Sequence, residues 1–489
     1  MSGTTQTPVR PEDPAEAPGE GTPAQRSFDR KVTAVTLLCL VALLLRVAVY
    51  AMKPLANADT WFHLRIGHEL WGPWSLAHPG TLTRFATADW VPTQWATEML
   101  VAKVEDWFGL PGVAWLFGAF YLAFVLVLYG ACRRRADLLV ATMATGAALI
   151  SAAGVLSVRP QVLSLILFVV TGMVWQRAVE AGRVPWLLVP LTWVWACVHG
   201  LWSAGVVLGV VVAAGALLDA PRGARPWRLL SIPLLSVVAA AVTPVGPRLL
   251  ASQLTVSART GFISEWLPTS FRTPPAIAFA AMAGVLVLLW AHRGKIAWTP
   301  LLLLLLACGW AALVTRMLAF SAVLVAPLLA AELAAFRNRP VTAAQVRAER
   351  RTVTVAVVVL LGLMAVAVPR TATAPAGVPD RFAPRLAELP QGSAVLVEDA
   401  VGSWIEYRFP GLDPTIDGMF DAYTLDYLHR FQAVPPVAAG WASFVRQAHP
   451  QAAVLVRGSA LEAAMRNRLG WRAVSRDAGW VYLVPGRAS

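Results

Sequence analysis

The sequence predicts an α-helical polytopic membrane protein of about eleven transmembrane helices, followed by a small C-terminal α/β domain. Three observations carry this. First, 57% of the 489 residues are hydrophobic and only 14% are charged, where a soluble globular chain has about 25% charged residues. Second, apolar runs of near-spanning length recur from residue 33 to 369. Third, the pattern changes after residue 370 to short strand-like runs between polar helices. The mean hydropathy of +0.59 and the 21 Trp fit this class, because Trp gathers at bilayer interfaces. The net charge of +13 does not point to nucleic acid. Its basic residues lie in short loops between apolar runs, where they orient a chain in a bilayer.

Residues 1–28 are rich in Pro, Glu, Thr, Gly and Ala and poor in apolar residues. They predict a disordered, cytoplasmic head. It is too long and too acidic for the start of a signal peptide, so the first apolar run is expected to stay as a membrane helix. The transmembrane domain is expected over 33–369, with spans near 33–52, 112–131, 137–156, 161–179, 184–199, 201–218, 229–246, 276–292, 297–314, 317–336 and 352–369. The pair 184–199 and 201–218 is joined only by His199-Gly200-Leu201. If both merely dip into the membrane, the count drops by two and orientation elsewhere is unchanged.

With the N-terminus inside, inner segments such as Arg133-Arg134-Arg135 and Arg347/Arg350/Arg351 hold twice the basic residues of the outer segments before the tail. This places the N-terminus in the cytoplasm and the C-terminal domain outside a plasma (inner) membrane. The first outer loop, 53–111, is long and holds Trp61, Trp71, Trp74, Trp90, Trp95 and Trp107. Its stretches TWFHLRIGHELW and PTQWATEMLVAKVEDWF are amphipathic and predict helices lying along the surface. Residues 370–489 predict an α/β domain, with strands at SAVLVE, AAVLVRG and WVYLV and helices near 424–431, 437–448 and 459–469. Cys39, Cys132, Cys197 and Cys308 lie in or beside apolar runs without metal-ligand spacing. They read as buried small hydrophobes, with neither a disulfide framework nor a zinc site.

Polar residues gather at the outer ends of these spans. They are Asp59 and His63 in NADTWFHL, Arg159 and Gln161 in SVRPQ, His199 in CVHGLW, Glu265 and Trp266 in ISEWLP, and Arg316 in VTRML. Charge near membrane depth is costly and tends to mark function. Convergence from five loops predicts a shared cavity. Each residue also has a plainer reading. Asp59 suits a helix N-cap, and His63 an interfacial hydrogen bond. The arginines suit snorkelling to headgroups, and Gln161 a helix cap after Pro160. Glu265 suits an ion pair with Arg259 or Arg272. Asp399, Glu406, Asp413, Asp417 and Asp421 read as a solvated acidic face.

The stretches ADTWFHLRIG, SVRPQ, TWVWACVHG, ISEW and TIDGMFDAY, with one carboxylate just after the first span and an outward tail, resemble a bacterial group of GT-C membrane proteins. More broadly the chain is similar to the GT-C-fold glycosyltransferases. The likeness covers residues 33–489. It implies transfer of a sugar from a polyprenyl-phosphate donor to a glycan, lipid or protein acceptor on the outer face. It implies Asp59 as general base, Arg159 and Arg316 on the carrier phosphate, and His63, Gln161, His199, Glu265 and Trp266 as substrate-binding residues. Two departures stand out. Met419 follows Asp417-Gly418 where that group commonly has Arg. Thr60 follows Asp59 where better-known relatives often carry a second acid, so a paired-carboxylate metal site is not supported. No soluble cofactor and no nucleic acid is implied, and there is no GxGxxG or P-loop. Two other classes stay open: a transporter or flippase of a lipid-linked sugar, and a non-catalytic membrane scaffold. Helix centres nearly free of charge weigh against a transporter.

Overall fold

The computed structural model describes residues 23–221, 226–294, 296–337, 342–398 and 401–486. Most of the predicted disordered head, and Asp399, lie outside them. Residues 23–28, read as head, are already helical.

Among the described residues, thirteen α-helices build the body: α1 Pro23–Ala51, α2 Asp59–Trp71, α3 Trp95–Arg133, α4 Leu138–Ala152, α5 Gln161–Glu180, α6 Leu188–Val198, α7 Trp202–Asp219, α8 Ser231–Ala241, α9 Arg248–Arg259, α10 Pro274–Arg293, α11 Trp298–Leu313, α12 Leu318–Arg337 and α13 Ala343–Thr371. Among the described residues, eight helices are long and apolar enough to cross a membrane. The chain is a multi-pass membrane protein. The expected spans 184–199, 229–246 and 297–314 are present as the shorter apolar helices Leu188–Val198, Trp227–Ala241 and Trp298–Leu313. At 11 residues, α6 reaches about 16 Å, roughly half a hydrocarbon core.

Local chemistry explains the breaks. The predicted surface stretch 92–108 and span 112–131 form one element, α3, bent at Gly109. Gly109 takes a left-handed φ of 64°, open to glycine at little cost. Pro111 beyond it has no amide hydrogen to continue the ladder. Asp137 caps α4 by accepting from the Val140 amide at 2.9 Å. Thr342 and Gln345 form a capping box at the start of α13.

In the apolar bundle the helices hold together by close packing. α4 packs on α12, α7 on α11, and α1, α3 and α13 on one another. Phe117, Phe124, Phe168, Trp175, Trp195 and Phe320 are fully buried between them. One end of the bundle carries a structural ion pair. Arg133 donates to both Glu349 oxygens at 3.0–3.1 Å, and the Tyr129 hydroxyl donates to Glu349 at 2.6 Å. This ties α3 to α13. All four cysteines are free. Cys132 and Cys197 are buried as expected, but Cys39 is exposed on α1, and Cys308 is only half-buried at the margin of the core.

The tail holds α14 Ala383–Ala387, β1 Ala394–Val397, α15 Val401–Arg408, β2 Asp413–Pro414, α16 Leu425–Gln432, α17 Trp441–Ala448, β3 Ala452–Val456, α18 Ala460–Leu469, β4 Arg472–Arg476 and β5 Trp480–Val484. The sheet order is β2-β1-β3-β5-β4, parallel through β1 and β3 and antiparallel at β5 and β4. The three predicted strands form its buried centre. The tail is docked on the first loop. The Ala376 amide donates to the Leu55 carbonyl at 2.8 Å, and the Ala88 amide to the Ala422 carbonyl at 2.9 Å. Thr83 donates to the Pro414 carbonyl at 2.9 Å. The Trp61 and Tyr407 rings stand 5.3 Å apart.

Candidate active site

Where the tail, the first loop and the near ends of α5, α7, α9, α11 and α12 meet, they enclose a cavity of about 780 Å³. Asp59, His63, Arg159, His199, Glu265, Trp266 and Arg316 all line it. Gln161 does not. It is fully buried, and neither amide atom has a hydrogen-bond partner among the described residues. It also makes no cap bond, because it is the first residue of α5 and its side chain turns into the bundle.

Asp59 opens α2 but does not cap it. The Asn57 side chain takes that place, accepting from the Asp59 amide at 3.0 Å. The Asp59 carboxylate is thereby free to meet Arg159, whose Nη1 lies 3.0 Å from its Oδ2. Thr60 fixes the register by donating to the Val158 carbonyl at 2.9 Å. The other arm of Arg159 reaches Glu265 at 2.8 Å, and its Nε donates to Ser157 at 2.8 Å. Arg316 stands 3.7 Å from Glu265 and over the Trp266 ring at 5.7 Å. Glu265 therefore pairs with Arg159 and Arg316, not with Arg259 or Arg272. Arg259 instead donates to the Tyr423 carbonyl at 3.0 Å and steadies the tail.

Two guanidinium groups and two carboxylates balance here. Arg316 Nε and Glu265 Oε2 still have no hydrogen-bond partner among the described residues. Burial raises the Asp59 pKa, and Arg159 offsets only part of the rise. Burial also raises the Glu265 carboxyl, but Arg159 and Arg316 outweigh it and hold the group below its ordinary value. Two acids in one cavity thus differ in basicity, with Asp59 the stronger base.

His63 does not bond to Asp59. Its Nδ1 meets Glu98 at 2.9 Å, with the Gln94 amide 3.4 Å away. His199 Nδ1 meets Ser164 at 2.8 Å, and Ser164 accepts from Trp195 at 2.7 Å. Burial, then Arg159 and Arg316, lower the His63 pKa well below 6.5, so its ring is neutral near pH 7. Burial first, then Arg316, lowers His199 in the same way.

The acidic stretch of the tail is not a solvated face. Glu406 and Asp417 are buried, and Asp421 lines the cavity. They fold inward because α15 and the 415–423 loop pack against α2 and the first loop. Gly418 lies directly on the site, where a Cβ would come within 2.9 Å of Asp59 Oδ1. Gln94, Glu98, Gln253, Gly418 and Asp421 are cavity residues that the sequence did not assign to the site, Asp421 having been read as solvated. Glu98 and Gln94 sit on an amphipathic helix, and only the position of TIDG beside other site motifs hinted at Gly418. Among the described residues no three His, Cys, Asp or Glu side chains gather as metal ligands. Asp59 and Glu265 each pair with Arg159.

No protein-family model matches the sequence, and no curated protein matches it. Solved structures do match. ArnT from Cupriavidus metallidurans bound to undecaprenyl phosphate aligns with a TM-score of 0.52 and 17% identity, over 92% of this chain and 98% of that one. Its apo state gives 0.50 and 19% identity, over 94% and 98%. The archaeal oligosaccharyltransferase AglB from Archaeoglobus fulgidus, in complex with an inhibitory peptide and a dolichol-phosphate, gives 0.52 and 12% identity, over 88% and 70%. The fold is that of the GT-C glycosyltransferases. The resemblance read from the motifs is borne out at this level, and the GT-C arrangement accounts for helices, first loop and tail together.

Proposed function

We propose that the chain is a membrane glycosyltransferase that moves a sugar from a polyprenyl-phosphate donor to an acceptor hydroxyl. The observation that carries this is Arg159, held between Asp59 and Glu265 with Arg316 beside it, in a cavity at one end of the bundle. Both solved relatives with a bound carrier hold a polyprenyl or dolichol phosphate.

The chemistry follows from charge. An entering phosphate competes with the two carboxylates for Arg159 and Arg316. The acceptor oxygen attacks the anomeric carbon and its proton passes to Asp59. The bond from that carbon to the phosphate oxygen breaks, and the carrier phosphate leaves with the electron pair. Negative charge grows on the leaving phosphate, where fixed guanidinium groups stabilise it. Glu265 holds both guanidinium groups in place before the donor arrives. Burial raises the basicity of Asp59, which suits a general base. Trp266 stacks with Arg316 and shapes the phosphate end of the cavity. The charge pattern of the loops supports a plasma (inner) membrane location with a cytoplasmic N-terminus and an extracytoplasmic cavity and tail.

Binding of undecaprenyl phosphate to the purified protein in nanodiscs tests the phosphate site. Arg159→Ala and Arg316→Ala are each expected to weaken it by about tenfold or more. Unchanged binding in both variants would remove the phosphate site and with it this reading.

A further inference from the structure

The cavity has two chemically different walls. One is the charged group of Asp59, Arg159, Glu265 and Arg316. The other carries His63, Gln94, Glu98, His199 and Gln253, none of which the bond-making step uses.

This second wall is built, not incidental. Glu98 is 2% exposed and bonds His63 through Oε1 at 2.9 Å. Its other oxygen, Oε2, is buried without a partner among the described residues. No Lys or Arg among them pairs with it. A carboxylate buried without a cation is costly, so this arrangement suits the neutral carboxyl. His63 is neutral, and so is His199, which is anchored through Ser164. Gln253 is fixed by Ser203 at 3.0 Å and by the Gly200 carbonyl at 3.2 Å. The wall therefore offers amides, imidazoles and a carboxyl, all held from behind and all without formal charge.

Sugar hydroxyls each donate and accept, and this set can do both in return. A charged sugar fits poorly. On this wall a uronate meets no cation of the wall's own, since Arg159 and Arg316 belong to the opposite wall and pair with Asp59 and Glu265, and an ammonium sugar meets no carboxylate there other than Glu98. We infer that the His63, Gln94, Glu98, His199 and Gln253 wall is the sugar subsite, that it takes an uncharged sugar, and that Glu98 Oε2 is the partner of one sugar hydroxyl. The inference rests on the proposed polyprenyl-phosphate donor and specifies its sugar.

The test uses the full chain in nanodiscs and compares Kd for bare undecaprenyl phosphate, the carrier bound in a solved neighbour, with Kd for the same carrier bearing glucose, mannose, galactose, glucuronic acid or glucosamine. At least one neutral hexose is expected to tighten binding by about tenfold, the scale of one or two net hydrogen bonds. The uronic and amino sugars are expected to add nothing. In Glu98→Ala the ratio of bare to hexose-bearing Kd is expected to fall to about one. Glu98→Gln keeps a neutral group of the same shape and should keep that ratio within about threefold. A larger gain from the uronic or amino sugar, an equal gain from all five, or no gain from any hexose would overturn the inference. Failure of bare undecaprenyl phosphate to bind would defeat the donor reading itself, and the sugar subsite with it.

Discussion

Among single residues, the sequence pointed to the charged half of the site more clearly than to the neutral half. Asp59, Arg159, Glu265 and Arg316 stand out because charge is scarce in this chain and each ends an apolar run. Glu98 lay hidden because an acid on an amphipathic surface helix reads as solvated until the fold shows that α2 covers it. Gln161 misled for the opposite reason, since Pro160-Gln161 at a helix start also suits a buried packing residue. Asp417 shows a further consequence of burial. Its carboxyl is pushed from 3.8 up to about 6 by burial in the tail. Between those values the folded chain keeps a proton that the unfolded chain gives up. Stability is therefore lost as pH rises through that window and stays lower above it. Asp417→Asn removes the dependence, and its Oδ1 can still accept from the Met419 amide, now at 2.6 Å. The melting midpoint of the variant minus that of wild type is expected near zero at pH 4 and about 2 °C or more at pH 7. A difference independent of pH would contradict the assignment.

At the level of elements, helix positions were readable from apolar length and lengths were less so. The pattern cannot see that α6 stops at 11 residues, because His199 turns the chain while the residues on both sides stay apolar. It also missed α9 and the short β2 and β4, which lack a continuous apolar signal. The loop at 415–423 is the element on which the site most depends. Gly418 lets its backbone touch Asp59 and Phe62, and a Cβ would come within 2.9 Å of both side chains. Gly418→Ala is expected to cut sugar transfer by about tenfold or more while the protein stays monodisperse, since small misplacement at a reacting centre is costly. Gly479→Ala, where a Cβ meets open space, serves as the control and should leave transfer unchanged. Equal activity in both would show that the tail loop does not position Asp59.

For the whole molecule, the odd number of spans that the sequence predicts would place the two termini on opposite sides of the membrane. Counting the α6–α7 pair as a shallow dip leaves that parity unchanged. Alkaline phosphatase fused after residue 489 is expected to be active, and a fluorescent protein at the same place dark. The reverse would invert the orientation and move the cavity to the cytoplasm. The measurement that bears most directly on the account is transfer of labelled sugar from polyprenyl-phosphate donors in membranes holding wild type or Asp59→Asn, with folding checked by detergent chromatography. Transfer is expected from wild type and to fall by about a hundredfold or more in the variant. Unchanged transfer by a folded Asp59→Asn protein would contradict the general-base assignment and leave Asp59 as a structural partner of Arg159.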